Sequence, residues 1–202
     1  VGIFPPSYQV GTNLYQWSGQ DTEEETFTYV SSVQELDAEV RSINREVTEL
    51  VIHWTETFTN ANLTAGQIHD NHVSLGHDGI GYHYIIRRDG SLQRGRPVDL
   101  DGEHCEFNGH NERSVAIAFV GGLNTATADS LIDEFSSAAS LTRSQFNTFN
   151  EILRAFYLHY PGIQVLGHND IESEQPDPGF DVIEYCFNKF NKVTLFNDPT
   201  TQ

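Results

Sequence analysis

The hydrophobic pattern of this chain switches between two periods. Val33, Leu36, Val40, Ile43 and Val47 recur at three- and four-residue spacing, which predicts a helix with one apolar stripe over 33–47. The run from Glu49 to Thr55 then reads as a buried strand that closes on His53. Thr64 and Gln67 have capping-box spacing and open a second helix, which Gly76 ends. Ile80–Arg88 predicts a strand, Asp89-Gly90 a tight hairpin turn and Ser91–Arg94 the return strand. Ser114–Val120 is an apolar strand stopped by Gly121-Gly122. Thr142 and Gln145 form a second capping box, after which Phe146, Phe149, Ile152, Leu153, Phe156, Tyr157 and Tyr160 fall on one helical face until Pro161-Gly162. A short strand over Ile163–Leu166 and a helix over Val182–Lys192 follow. Strands alternating with helices, with one hairpin and no internal repeat, predict an α/β fold in which a mixed central sheet is flanked by helices.

The first 30 or so residues break from this pattern: they are rich in Gly, Pro, Ser, Thr and Tyr and carry the run Glu23-Glu24-Glu25. They read as an extended arm packed on something else or as a solvated tail. The expected division is an N-terminal arm and helix over 1–46, acting as linker or docking segment, a folded domain over 47–194 and a tail over 195–202. The 202 residues contain no Met and no basic-apolar leader, so a processed product or a segment of a longer chain is expected.

Composition narrows the function. With 38% hydrophobic and 20% charged residues the chain is of ordinary globular type, and no apolar run is long enough to span a bilayer. A net charge of −18 argues against nucleic-acid binding, which rests on Lys and Arg neutralising phosphates, and against anionic membranes. Arg87-Arg88 is too little basic charge to change this. Divalent cations, by contrast, are favoured. Cys105 and Cys186 either pair as one disulfide or stay as buried thiols, the second being preferred.

Three positions stand out chemically. His53 and His168 each close an apolar run, and Asp177 follows nine residues after His168 in a Pro-Asp-Pro-Gly-Phe turn. Two imidazoles and one carboxylate make a donor set that leaves a fourth tetrahedral position open, as in hydrolytic rather than structural zinc sites. Each histidine taken singly has an ordinary alternative as a hydrogen-bonded core or surface residue.

Six motifs occur in one order: Val-Ile-His-Trp-Thr-Glu-Thr (51–57), Gly-Ile-Gly-Tyr-His-Tyr-Ile-Ile-Arg-Arg-Asp-Gly (79–90), Gly-Glu-His-Cys (102–105), Asn-Glu-Arg-Ser-Val-Ala-Ile-Ala-Phe-Val-Gly-Gly (111–122), Gly-His-Asn-Asp-Ile (167–171) and Asp-Pro-Gly-Phe (177–180). Over roughly residues 47–190 the chain resembles the type 2 zinc-dependent N-acetylmuramoyl-L-alanine amidases, which include phage endolysins and peptidoglycan recognition proteins. The resemblance implies that His53, His168 and Asp177 hold Zn2+ and that Tyr82 lines the active site as an oxyanion donor. Tyr82 also has a plain alternative as a core aromatic, since strand alternation would put Tyr82 and Tyr84 on one face. His104 matches a histidine beside the substrate groove, and a loop histidine is its plain alternative. His72 and His83 are expected to be structural, with His83 on the strand face opposite Tyr82. Glu172 and Glu174 lie near the expected metal and read as solvated loop charge, with a role as a base as the alternative. Many bacterial and phage members carry Lys two residues before the third ligand, whereas this chain has Gln175, a neutral donor.

The expected function is therefore hydrolysis of the amide between N-acetylmuramic acid and L-alanine in peptidoglycan by a phage-type, extracellular or virion-associated module. Expected partners are peptidoglycan and, through the N-terminal arm, other phage structural proteins. Two rivals come from other classes: a recognition module that holds muropeptide without cutting it, and a structural virion component in which zinc only stabilises the fold.

Overall fold

A computed structural model describes residues 27–123 and 140–192. In chain order the elements are β1 (Tyr29–Val30), α1 (Val33–Ser42), β2 (Glu49–Trp54), β3 (Thr57–Phe58), α2 (Ala65–Ser74), β4 (Tyr84–Ile86), β5 (Leu92–Arg94), α3 (His110–Arg113), β6 (Ser114–Phe119), β7 (Gly122–Leu123), α4 (Arg143–His159), β8 (Gln164–Gly167), α5 (His168–Ile171) and α6 (Val182–Phe190). Six strands form one mixed sheet in the order β1-β5-β4-β6-β2-β8. β2 runs parallel to both β6 and β8, β4 runs parallel to β6, and β5 is antiparallel to β1 and β4. This is the mixed α/β architecture expected from the sequence pattern. No helix among the described residues is long and apolar enough to cross a membrane.

The sheet has two unlike faces. On one, Leu50, Ile52 and Trp54 of β2, Tyr84 and Ile86 of β4, and Val115, Ile117 and Phe119 of β6 pack under Leu36 and Val40 of α1, Phe149, Ile152, Leu153 and Phe156 of α4, and Val182 and Cys186 of α6. Strand alternation sends Ile85, Ala116 and Ala118 to the other face, where they meet Ala65 and Ile68 of α2, Phe27, Ile80 and Tyr82. His53 lies on this second face, between Ile52 and Trp54 in sequence.

Local chemistry fixes the helix ends. Both capping boxes form: Thr64 and Gln67 exchange hydrogen bonds at the start of α2, as do Thr142 and Gln145 at the start of α4. Gln145 also donates from its amide to the carbonyls of Ile86 and Val120, tying α4 to the strand ends. The β4–β5 turn closes through Gly90 N donating to Arg87 O, with Gly90 at φ +87°.

Two expectations are corrected. The first helix stops at Ser42, not Val47, because Ile43 turns to ψ 124° and the following chain is anchored sideways. Asn44 N donates to Asp99, and the Arg45 guanidinium to the carbonyls of Val98, Glu112 and Ser114. Val47 still buries on the same core from a non-helical segment, so the apolar spacing outlasts the helix. The second correction concerns the strand expected over 80–88, which is regular only from Tyr84 to Ile86. Residues 80–83 hydrogen-bond irregularly, with Ile80 N and Gly81 N donating to the imidazoles of His69 and His72. The bend at His83 shifts the phase, so Tyr82 and Tyr84 face opposite sides of the sheet.

The arm over residues 1–26 and the tail over 195–202 lie outside the described residues. Within 27–46, β1 extends the sheet beside β5 and α1 packs against α4. Cys105 and Cys186 are both buried free thiols.

Candidate metal centre

The topology itself brings the candidate ligands together. β2 and β8 are adjacent and parallel, with Ile52 opposite Gly167, so the next residue of each strand, His53 and His168, emerges at the same carboxyl edge. That edge is where open α/β sheets place their ligands. Asp177 arrives from the loop after α5: its backbone carbonyl accepts from Asn169 N, and Trp54 N donates to its Oδ1 at 2.5 Å. Gly179, two residues on, has φ +79°, and a Cβ there would lie 2.1 Å from Cζ3 of Trp54, so this turn admits only glycine.

One donor nitrogen or oxygen from each of His53, His168 and Asp177 lies within 4.8 Å of the others. Oδ2 of Asp177 is 2.7 Å from Nδ1 of His53 and 3.2 Å from Nδ1 of His168. Two donors bound to a tetrahedral zinc at about 2.0–2.1 Å stand roughly 3.3 Å apart, so a slight withdrawal of the carboxylate accommodates the ion. Number, type and spacing of the donors thus fit a zinc-class ion.

Burial sets the charges. His53 is 1% exposed, and desolvation holds its pKa below the ordinary histidine range despite the adjacent Asp177. His168 is less deeply placed: burial opposes its charge, but the hydrogen bond to Asp177 and attraction from Asp177 and Cys105 outweigh this and raise its pKa to about 10. Desolvation pushes Asp177 up, yet the two imidazoles prevail and keep it below its usual value. Without a metal, the deeper imidazole is neutral, the shallower one carries the proton, and the carboxylate is ionised.

His104 and Tyr82 complete the surroundings. Nδ1 of His104 is 2.9 Å from Nε2 of His53, and Nε2 of His104 is 2.9 Å from Oγ of Ser114. Burial and the neighbouring histidines hold His104 well below its ordinary pKa, so it is neutral with a single N–H. With Nε2–H donating to Ser114, Nδ1 accepts from His53 and leaves Nδ1 of His53 free for the metal. The Tyr82 ring is centred 5.1 Å from that of His53. Burial raises its phenol, with Asp177 and Glu56 adding to the effect, so the hydroxyl stays a neutral donor.

An open cavity of about 350 Å³ adjoins the centre, and Tyr82, His104 and His168 line it together with His72, Cys105 and Glu172. Of the residues singled out in the sequence, His53, His104, His168, Asp177 and Tyr82 are brought together. Gln175 is not: it is exposed on the loop and does not line the cavity. His83 spans Ala116 N and the Leu100 carbonyl, and His72 accepts from Gly81 N; burial holds both rings near a pKa of about 3. Sequence reasoning missed Ser114, which no motif role marks, and the placement of Cys105 beside His168 and Glu172, although Glu172 itself was expected near the metal. The four-residue spacing of His168 and Glu172 was the available signal for the last pair.

Comparisons with known proteins agree with this geometry. Residues 43–180 match the sequence profile of the family described as N-acetylmuramoyl-L-alanine amidase. An endolysin of Enterobacteria phage K11 is 29% identical over 138 residues, covering 68% of this chain and 84% of the relative. The solved amidase LysCS of Clostridium intestinale URNW superposes with a TM-score of 0.57 at 28% identity, covering 74% of this chain and 87% of that one. Drosophila peptidoglycan recognition protein SD shares the fold, with a TM-score of 0.57 at 21% identity over 76% of this chain and 88% of its own. With two thirds of its length matched by the family profile, the chain belongs to the N-acetylmuramoyl-L-alanine amidases.

Proposed function

We propose that the protein hydrolyses the amide bond between N-acetylmuramic acid and L-alanine in bacterial peptidoglycan, using a zinc ion held by His53, His168 and Asp177, as a phage-type wall-degrading module. The observation that carries this reading is the convergence of two imidazole Nδ1 atoms and one carboxylate beside an open cavity, in a chain of this family. Zinc bound there would supply Lewis acidity to the scissile carbonyl and activate water for attack. The chain's own residues do the rest. His104 and Ser114 fix the tautomer and ring orientation of His53. The neutral Tyr82 phenol, which lines the cavity, would be the donor to charge developing on the carbonyl oxygen. Gln175 would join only if substrate drew its loop toward the cavity. The site of action would be the cell wall, outside the host cytoplasm or on the virion, with residues 1–26 as the segment to dock on other phage proteins.

One observation favours the recognition-module reading: among the described residues no Lys or Arg lines the cavity, so none of them offers a permanently cationic donor to the oxyanion position. Digestion of purified sacculi followed by mass spectrometry separates the readings. The amidase releases stem peptides with a free L-alanine amine and glycan with free lactyl carboxylates, and His53→Ala releases neither. Wall binding without either product from the wild-type protein supports the recognition module instead.

A further inference from the structure

A second donor set shares His168 with the first. Sγ of Cys105, Nε2 of His168 and a carboxylate oxygen of Glu172 lie within 4.8 Å of one another. Oε1 of Glu172 is 3.7 Å from the sulfur and 3.5 Å from Nε2. On a tetrahedral zinc, with sulfur at about 2.3 Å and nitrogen or oxygen at about 2.0 Å, such atoms stand roughly 3.3–3.5 Å apart. The sulfur contact is of ordinary length for a thiol hydrogen bond, the nitrogen contact is too long for a good one, and both are close to the edges of a coordination shell.

The imidazole supplies a second, independent sign. Nε2 of His168 is buried and makes no hydrogen bond, an unusual state for a polar atom. Its other nitrogen faces Asp177, so the ring offers one nitrogen to each donor set. The backbone holds the new set in place. His104 N and Cys105 N both donate to Oδ1 of Asn111, while Glu172 N donates to the His168 carbonyl one turn after it. Cys105, His168 and Glu172 all line the open cavity, whereas His53 and Asp177 do not. The cavity wall also carries Glu103 and Glu106, a field that concentrates divalent cations.

We propose that Cys105, His168 and Glu172 form a second, weaker site for a divalent transition-metal ion, joined to the first through the His168 ring, and that its occupancy closes the cavity to substrate. Binding breaks the Cys105 S–H and His168 Nε2–H bonds, sends both protons to water and forms two metal–ligand bonds; the Glu172 carboxylate adds a third, and no electrons are exchanged. A thiolate beside an imidazole and a carboxylate selects zinc, cobalt or cadmium over magnesium or calcium. Repulsion between two dications sharing one ring makes this the weaker site. The inhibition rests on the amidase reading; the second ion does not.

Titration of the metal-free full chain with Co2+ tests it. The wild type takes up two equivalents, and a thiolate-to-cobalt charge-transfer band grows with the second. Cys105→Ser abolishes the band and the second equivalent, Glu172→Gln weakens that equivalent at least tenfold, and His53→Ala keeps the band while losing the first ion. In a zinc titration of wall lysis, the rate climbs through one equivalent and falls with the next. Relative to each variant's own maximum, the fall moves to at least tenfold higher zinc in Cys105→Ser. A single equivalent without the band in the wild type overturns the site, as does a band that survives Cys105→Ser and so reports Cys186. Two equivalents with the predicted band but no lysis at any zinc level leave the site standing and sink the amidase reading alone.

Discussion

The two faces of the central sheet are built from the same strands but solve different problems. One buries Trp54, Tyr84, Phe119, Phe149 and Phe156 under three helices and is stabilised by removal of apolar surface from water. The other presents Ala116 and Ala118 beside the strand that carries His53, and these small side chains leave room for a layer of imidazoles. Burial keeps His69, His72 and His83 neutral, and all three satisfy backbone donors: their Nδ1 atoms accept from Ile80, Gly81 and Ala116. The first face holds the strands in register, and the second uses that register to set the spacing of the candidate ligands.

Substitutions can break this division of labour. The largest effect is expected from His53→Ala, which should weaken zinc binding by more than about 10³-fold in a chelator-competition assay, roughly 4 kcal/mol. Urea unfolding of the same variant without metal should cost no more than about 2 kcal/mol. Phe149→Ala should do the reverse, with a stability loss of about 3 kcal/mol in urea and zinc affinity within about twofold of wild type. Comparable losses of both quantities in both variants would end the distinction.

Glu49, where β2 begins, lies between the two behaviours. Desolvation raises its pKa, but hydrogen bonds and attraction from His110 and Arg113 outweigh that and leave it lowered. A carboxylate depressed on folding contributes stability above its unfolded pKa, and that contribution disappears as pH falls through the folded value. Glu49→Gln should therefore cost about 2 kcal/mol at pH 7 and steadily less as the pH falls through the lowered pKa of the carboxyl, as read from urea midpoints. The smallest effect is on metal affinity. His168 is protonated in the metal-free centre up to about pH 10. Each ion bound at the first site displaces that proton, so zinc affinity should rise about tenfold per pH unit between pH 7 and 9. A flat profile would show that binding displaces no proton from His168.

Much of the scaffold was legible locally. Thr64 with Gln67 and Thr142 with Gln145 mark helix starts because a capping box is made by residues three apart, with no help from the rest of the fold. The parallel strands were legible as apolar runs because both of their faces are covered. Val47 was misread because a helix stripe and the segment after it bury on one core. The shared face expected for Tyr82 and Tyr84 was misread because the backbone bonds that break the alternation come from His69 and His72, histidines on another element.

The sequence alone determined most of the elements and their order and singled out His53, His168 and Asp177 as candidates, since periodicity, caps and motif order are properties of neighbouring residues. Tertiary structure alone decided that Ile52 lies opposite Gly167, that His104 and Ser114 back the His53 ring, that Gln175 stands outside the cavity, and that Cys105 and Glu172 meet the far side of His168. These are distances between segments remote in the chain. They follow from strand register and loop packing, which no local pattern of residue types encodes.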